Sequence, residues 1–228
     1  MKIFLLSVMC GCAWAQLDRP ALGKMLDGNG TVRTVYGIAA SVTLGDAEVA
    51  GVLSSGCSKT FCLAKTVTGI LSVAGTVDAP AGPALFAFDD DAAFVWFPLS
   101  RQLARWQNGG LTLVDCSVDG EVLSIRVSGG AVEFAVRRES GVWIVRSDGS
   151  VLESVGLSMG PVMLISDGVV YATREEIVIR GARIRLSGVT LFSQMSCGYL
   201  QVRARGVDYA LRTENGRETL FQLPGVSQ

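Results

Sequence analysis

Residues 122–155 read VLSIRVSGGAVEFAVRRESGVWIVRSDGSVLESV. Four apolar runs, 122–127, 132–137, 142–146 and 151–155, are separated by the turn stretches 128–130, 138–141 and 147–149. Valine, isoleucine and aromatic residues suit a pleated, half-buried surface, whereas glycine after serine or aspartate supplies the positive φ of a tight turn. The stretch therefore reads as four short strands joined by hairpins. It carries no apolar spacing at the helical period.

Working outward, the same unit recurs. Upstream, 84–88, 93–97, 103–107 and 111–115 are joined by Asp89-Asp90-Asp91, by 98–102 and by 108–110. Downstream, 162–186 and 190–223 divide in the same manner, and a first unit spans 36–77. One turn glycine from each unit (Gly69, Gly109, Gly149, Gly181 and Gly216) gives separations of 40, 40, 32 and 35 residues. A repeat of this length, all strand and turn, matches the blade of a propeller. The expected fold is all-β, a β-propeller of about five four-stranded blades, with a β-sandwich as the alternative. Residues 16–30 are expected to form an N-terminal tail, with a closing strand near 31–35, and 31–228 a single propeller domain.

Composition narrows the chemistry. The 228 residues carry 20 Lys and Arg against 21 Asp and Glu, with 27 glycines, 28 valines and no histidine. A balance near −1 lacks the basic excess that nucleic acid or an anionic membrane surface demands. Without histidine there is no His-dependent catalytic triad and no His-ligated zinc. Met1-Lys2, the apolar run 3–9 and Ala13-Trp14-Ala15 read as a secretory signal peptide over residues 1–15, too short to span a bilayer. No later stretch is long and apolar enough to cross a membrane as a helix, so a secreted or periplasmic protein is expected. Export favours disulfides. Cys57 and Cys62 flank a plausible hairpin tip and are the expected pair, leaving Cys116 and Cys197 as the remainder, bonded or as buried thiols. A single C-x4-C is a poor zinc pattern, and neither metal nor cofactor is expected.

The four-strand unit resembles the bacterial secreted β-propeller repeat families and, loosely, WD repeats. Arg105-Trp106-Gln107 and Val142-Trp143-Ile144 place tryptophan in the third strand, about where WD repeats carry theirs. The Gly-His signature is absent, as is the aspartate after tryptophan.

In such a ring, the loops between second and third strands share a face with the blade-to-blade connectors. Lys59, Arg101, Arg137, Arg138, Arg174 and Arg205 are assigned to that face, together with Asp115 and Asp119 from a connector. Guanidinium groups suit carboxylate recognition, so these residues are the candidate binding set; solvated, locally neutralised hairpin tips are the plain alternative. Asp89-Asp90-Asp91 lacks the alternating spacing of a calcium loop and reads as a turn. The expected function is a non-catalytic protein-interaction module acting on another envelope or extracellular protein. A glycan-binding propeller and a five-bladed glycoside hydrolase are the alternatives; the hydrolase needs paired carboxylates in the funnel. Tryptophans 96, 106 and 143 read as packing between blades rather than as sugar platforms.

Overall fold

The computed structural model describes residues 20–38, 41–90, 92–156, 160–196, 198–213 and 218–225. The expected signal peptide, Asp91, Cys197 and the Asn215-Gly216 turn lie outside these residues. Among the described residues twenty-three strands form six antiparallel sheets, six blades rather than the five expected.

Blade one contains β1 (Ala21–Leu26), β2 (Val32–Ile38) and β3 (Ser41–Val49). Blade two contains β4 (Ser54–Cys57), β5 (Cys62–Lys65), β6 (Gly69–Ser72) and β7 (Gly75–Asp78). Blade three contains β8 (Leu85–Asp89), β9 (Ala92–Phe97), β10 (Gln102–Gln107) and β11 (Gly110–Val114). Blade four contains β12 (Glu121–Ser128), β13 (Ala131–Arg138), β14 (Gly141–Arg146) and β15 (Val151–Gly156). Blade five contains β16 (Val162–Ile165), β17 (Gly168–Ala172), β18 (Glu176–Ile179) and β19 (Ala182–Arg185). Blade six contains β20 (Val189–Ser196), β21 (Tyr199–Ala204), β22 (Val207–Arg212) and β23 (Thr219–Gln222).

The extra blade comes from residues expected to be a tail and the head of a first unit. Its turn, Asp27-Gly28-Asn29-Gly30, is held by the Asp27 carboxylate, which accepts the amides of Asn29 and Thr31, each at 2.9 Å. Among the described residues blade one has three strands, and its connector to β4, residues 50–53, is as short as the other connectors. The odd count forces β1 to run opposite to β4. Blade one thus holds the counterparts of strands two, three and four, and β4 and β20 approach each other directly across its inner edge. Ser193 Oγ donates to Ser55 O there at 3.2 Å.

A blade is apolar on both faces, and its neighbours cover it. In β13, Phe134 and Val136 pack towards blade three with Trp96 and Leu103, while Ala135 turns the other way, onto Val162 and Leu164 of blade five. This double burial makes the strand read as a continuous apolar run. Leu63 and Ile70 meet Val95, Phe97 and Trp106 between blades two and three. Ile177 and Ile179 meet Val202 and Leu211 between blades five and six. Trp96 lies edge-on to Phe134 (5.6 Å), and Trp106 stacks on Phe61 (5.2 Å), so both indoles are spent on packing. The Cys57–Cys62 disulfide forms across the β4–β5 hairpin as expected (Cα–Cα 4.1 Å), while Cys116 is a free, half-buried thiol. Lys65 is wholly buried, its ammonium donating to Thr66 O, and burial pushes its pKa down.

The ring closes between blade six and blade one. Leu22, Met25 and Val35 share a core with Met195, Ala210 and Leu223. Above that core, Leu26 N donates to Gln201 Oε1 (3.0 Å), and Leu26 O accepts from Gln201 Nε2 (2.8 Å) and Arg203 (2.6 Å). Gln201 is fully buried. Gln201→Leu would leave Leu26 N without its partner and Leu26 O with Arg203 alone, an expected loss of about 1–3 kcal/mol read as a lowered urea midpoint at unchanged slope.

Candidate binding face and central channel

Strand alternation sorts the loops into two faces. One holds the blade-to-blade connectors and the loops between second and third strands; it is called the connector face below. Arg101 lies between β9 and β10, Arg137 and Arg138 end β13, Arg174 lies between β17 and β18, and Arg205 lies between β21 and β22. Asp115 and Asp119 belong to the connector between β11 and β12. Lys59 does not join them. It sits at the tip of the β4–β5 hairpin, on the opposite face, because blade two begins at Ser54 rather than at residue 36.

The arginines reach sideways into neighbouring connectors. Arg101 donates to Val118 O (3.1 Å) and Asp119 Oδ1 (3.0 Å), and Arg138 Nε approaches Asp119 O at 3.4 Å. The hydrogen bond from Arg101 is the main reason that the Asp119 carboxyl is held below its ordinary pKa. Arg137 binds Glu121 (2.9 Å) and Gly160 O (3.1 Å), and Arg205 binds Ser187 Oγ (2.5 Å). Only Arg101, Arg138 and Asp119 come together; Arg174 and Asp115 stand exposed on their own loops. Arg101 and Arg205 adopt the left-handed region (φ 53 and 51). At Arg205-Gly206 this conformation, continued by Gly206 at φ 78, forms a two-residue hairpin turn.

Sequence reasoning missed the apolar half of this face. Leu53, Val67 and Leu99 are exposed at 41%, 65% and 74%. Their loops run on continuously: Leu53 N donates to Lys65 O, and Ala79 N to Thr68 O. Leu99 then covers Gly82, where a Cβ would lie 2.5 Å from Leu99 Cδ1. From Leu99 the strip continues directly to Arg101. The signal was available in the sequence: an apolar residue between turn formers, as in Thr66-Val67-Thr68 and Pro98-Leu99-Ser100.

Inside the ring, two adjoining cavities of about 220 and 170 Å³ share Ile125, Met163 and Gln194 along the axis. Three inner-strand serines bridge blades: two join neighbours, and the third joins blades six and two across the inner edge of blade one. Ser54 Oγ accepts from Ala84 N (2.9 Å), Ser124 Oγ accepts from Leu164 N (3.0 Å), and Ser193 Oγ donates to Ser55 O. Arg126 is held by Glu133 (2.7 Å) and by the carbonyls of Ile165 and Gly168, each at 2.9 Å. Arg203 is held by Asp208 (2.9 and 3.1 Å) and Leu26 O. Among the described residues, the lining is hydroxyl, amide, guanidinium and apolar, with no carboxylate side chain in it.

This arrangement defines a β-propeller, and comparison with solved structures agrees. A chain from the crystal structure of a nidogen/laminin complex superposes with TM-score 0.58 at 13% identity, covering 90% of this chain and 93% of that one. A protein of unknown function from Bacteroides caccae gives 0.56 at 15% identity, covering 90% and 93%. The WD40 β-propeller domain of Doa1 gives 0.50 at 14% identity, covering 91% and 84%. At these identities the likeness is one of fold. No known family pattern matches the chain, and neither does any curated protein.

At the closing seam, the Asp27 side chain is 2% exposed and paired with Arg33 Nε at 3.1 Å. Burial acts to raise its pKa, but the Thr31 and Asn29 amides and the Arg33 guanidinium outweigh it and hold the group below its ordinary value. The stabilisation is therefore complete above the unfolded carboxylate pKa of about 4 and is lost as pH falls through the lower folded value. Wild type is expected to exceed Asp27→Asn in urea stability at neutral pH, with the gap closing under acid. A gap of constant size down to the acid limit would show that the charge of Asp27 is not its source.

Proposed function

We propose that the chain is an exported, non-catalytic β-propeller that binds another envelope or extracellular protein through the connector face. The observation that carries this reading is the exposure of Leu53, Val67 and Leu99 on the connector face, where Leu99 shares its loop with Arg101, while Arg138, Arg174 and Arg205 occupy further loops. Exposed apolar side chains flanked by guanidiniums form a surface suited to a protein partner with an apolar patch and a carboxylate rim. Three features favour protein over sugar or hydrolysis. Trp96 and Trp106 are buried between blades, the described channel lining offers no carboxylate pair, and Asp119 is already paired with Arg101. Export rests on Met1-Lys2, the apolar run 3–9 and Ala13-Trp14-Ala15, and agrees with the Cys57–Cys62 bond. Among the described residues no helix is long and apolar enough to cross a membrane.

The test is affinity capture from an envelope or secretome extract with three baits: wild type, Leu99→Asp with Arg174→Ala, and Ile38→Asp. Ile38 is 62% exposed at the opposite strand ends. A protein held by wild type and Ile38→Asp but lost from the connector-face variant is the expected result. Loss from Ile38→Asp alone would move binding to the other face, and capture of nothing specific would contradict the reading.

A further inference from the structure

Five of the six seams between blades are filled by shared apolar clusters: six to one, two to three, three to four, four to five and five to six. The seam between blades one and two is different. It contains a groove of about 270 Å³. Its origin is in the side-chain alternation of blade two. Ile70 and Leu63 pack towards blade three and Lys65 is wholly buried, whereas Ser55, Cys57, Cys62, Ala64, Leu71, Ser72 and Val73 line the groove, which Leu63 also touches. Serine, alanine and a disulfide do not reach across a seam that elsewhere takes phenylalanine, tryptophan or leucine.

Blade one does not fill the space either. It presents Val32 and Val49 together with a polar network, in which Lys24 binds Glu48 and Thr34 Oγ1 donates to the other Glu48 oxygen. The ion pair neutralises itself at the rim, so the groove offers no net charge to an ionic ligand. Half of its lining residues are valine, leucine or alanine, the disulfide adds further apolar wall, and Val73, 96% exposed, stands at the lip.

We propose that this groove is a binding site for a small, uncharged, apolar molecule of one or two rings or a short alkyl chain. The size fits: an apolar cavity of roughly 150 Å³ accommodates benzene in a model protein, and this one is larger. The gain is the burial of wall and ligand surface that the other seams obtain from their own side chains. The site is separate from the connector strip, and neither depends on the other.

The probe is N-phenyl-1-naphthylamine, a neutral fluorophore that brightens in apolar surroundings, titrated into the full chain with 1-octanol as competitor. Saturable binding at one site per chain is expected, displaced by the alcohol. Ala64→Trp and Leu71→Trp each fill the groove and should weaken binding by about tenfold or more, while a cooperative urea transition confirms that they fold. An absence of saturable binding by the native chain would overturn the proposal. So would undiminished binding by both filled variants, or burial of the groove in a dimer seen by sedimentation.

Discussion

A four-stranded blade cannot exist alone: both of its faces are apolar, and water is excluded only when another blade lies against each. Everything else in the molecule follows from that constraint. It makes the central strands near-continuous apolar runs, as in Val132–Val136, and it gives Trp96, Trp106 and Phe134 their places. It also demands closure, since an open stack would expose one face at each end. Among the described residues no strand crosses between the first and last sheets. Blade one packs against blade six through Met25 and Met195, with Gln201 and Arg203 satisfying the Leu26 backbone over that core.

The arginines acquire a structural meaning from the same constraint. Arg101, Arg126, Arg137 and Arg203 each reach a backbone carbonyl in a neighbouring connector or blade. A guanidinium suits this task, having several donors in one plane and no acceptor to leave unsatisfied. Such residues tie neighbouring blades and connectors together through the backbone.

Blades three to six were legible because many of their hairpins are marked by a glycine turn and the others by aspartate, serine or threonine between apolar runs rich in valine. β13, expected at 132–137, is found at Ala131–Arg138, and β9, expected at 93–97, at Ala92–Phe97. Blade one escaped notice for physical reasons. Its strands contain Gly23, Gly37 and Gly45, its ladders slip register twice between β2 and β3, and its turn depends on the Asp27 carboxylate as much as on glycine. Counting one turn glycine per unit therefore began a blade too late and misplaced Lys59. The candidate arginines were placed on the right loops because loop parity follows from strand alternation. Their partners depend on which connector lies alongside, and that is set only when blades dock. Lys65, wholly buried in a four-residue strand, carried no mark in the sequence to distinguish it from a surface lysine.

Closure by blade one is the claim on which the architecture rests, and hydrogen–deuterium exchange tests it most directly. If the first and last blades share one core, the amides of β1 and β2 should exchange as slowly as those of β20 to β22. They should also lose protection together under mild denaturant. Rapid exchange across residues 21–38, while blades two to six remain protected, would contradict the account and show blade one to be an appendage rather than the closing element of the ring.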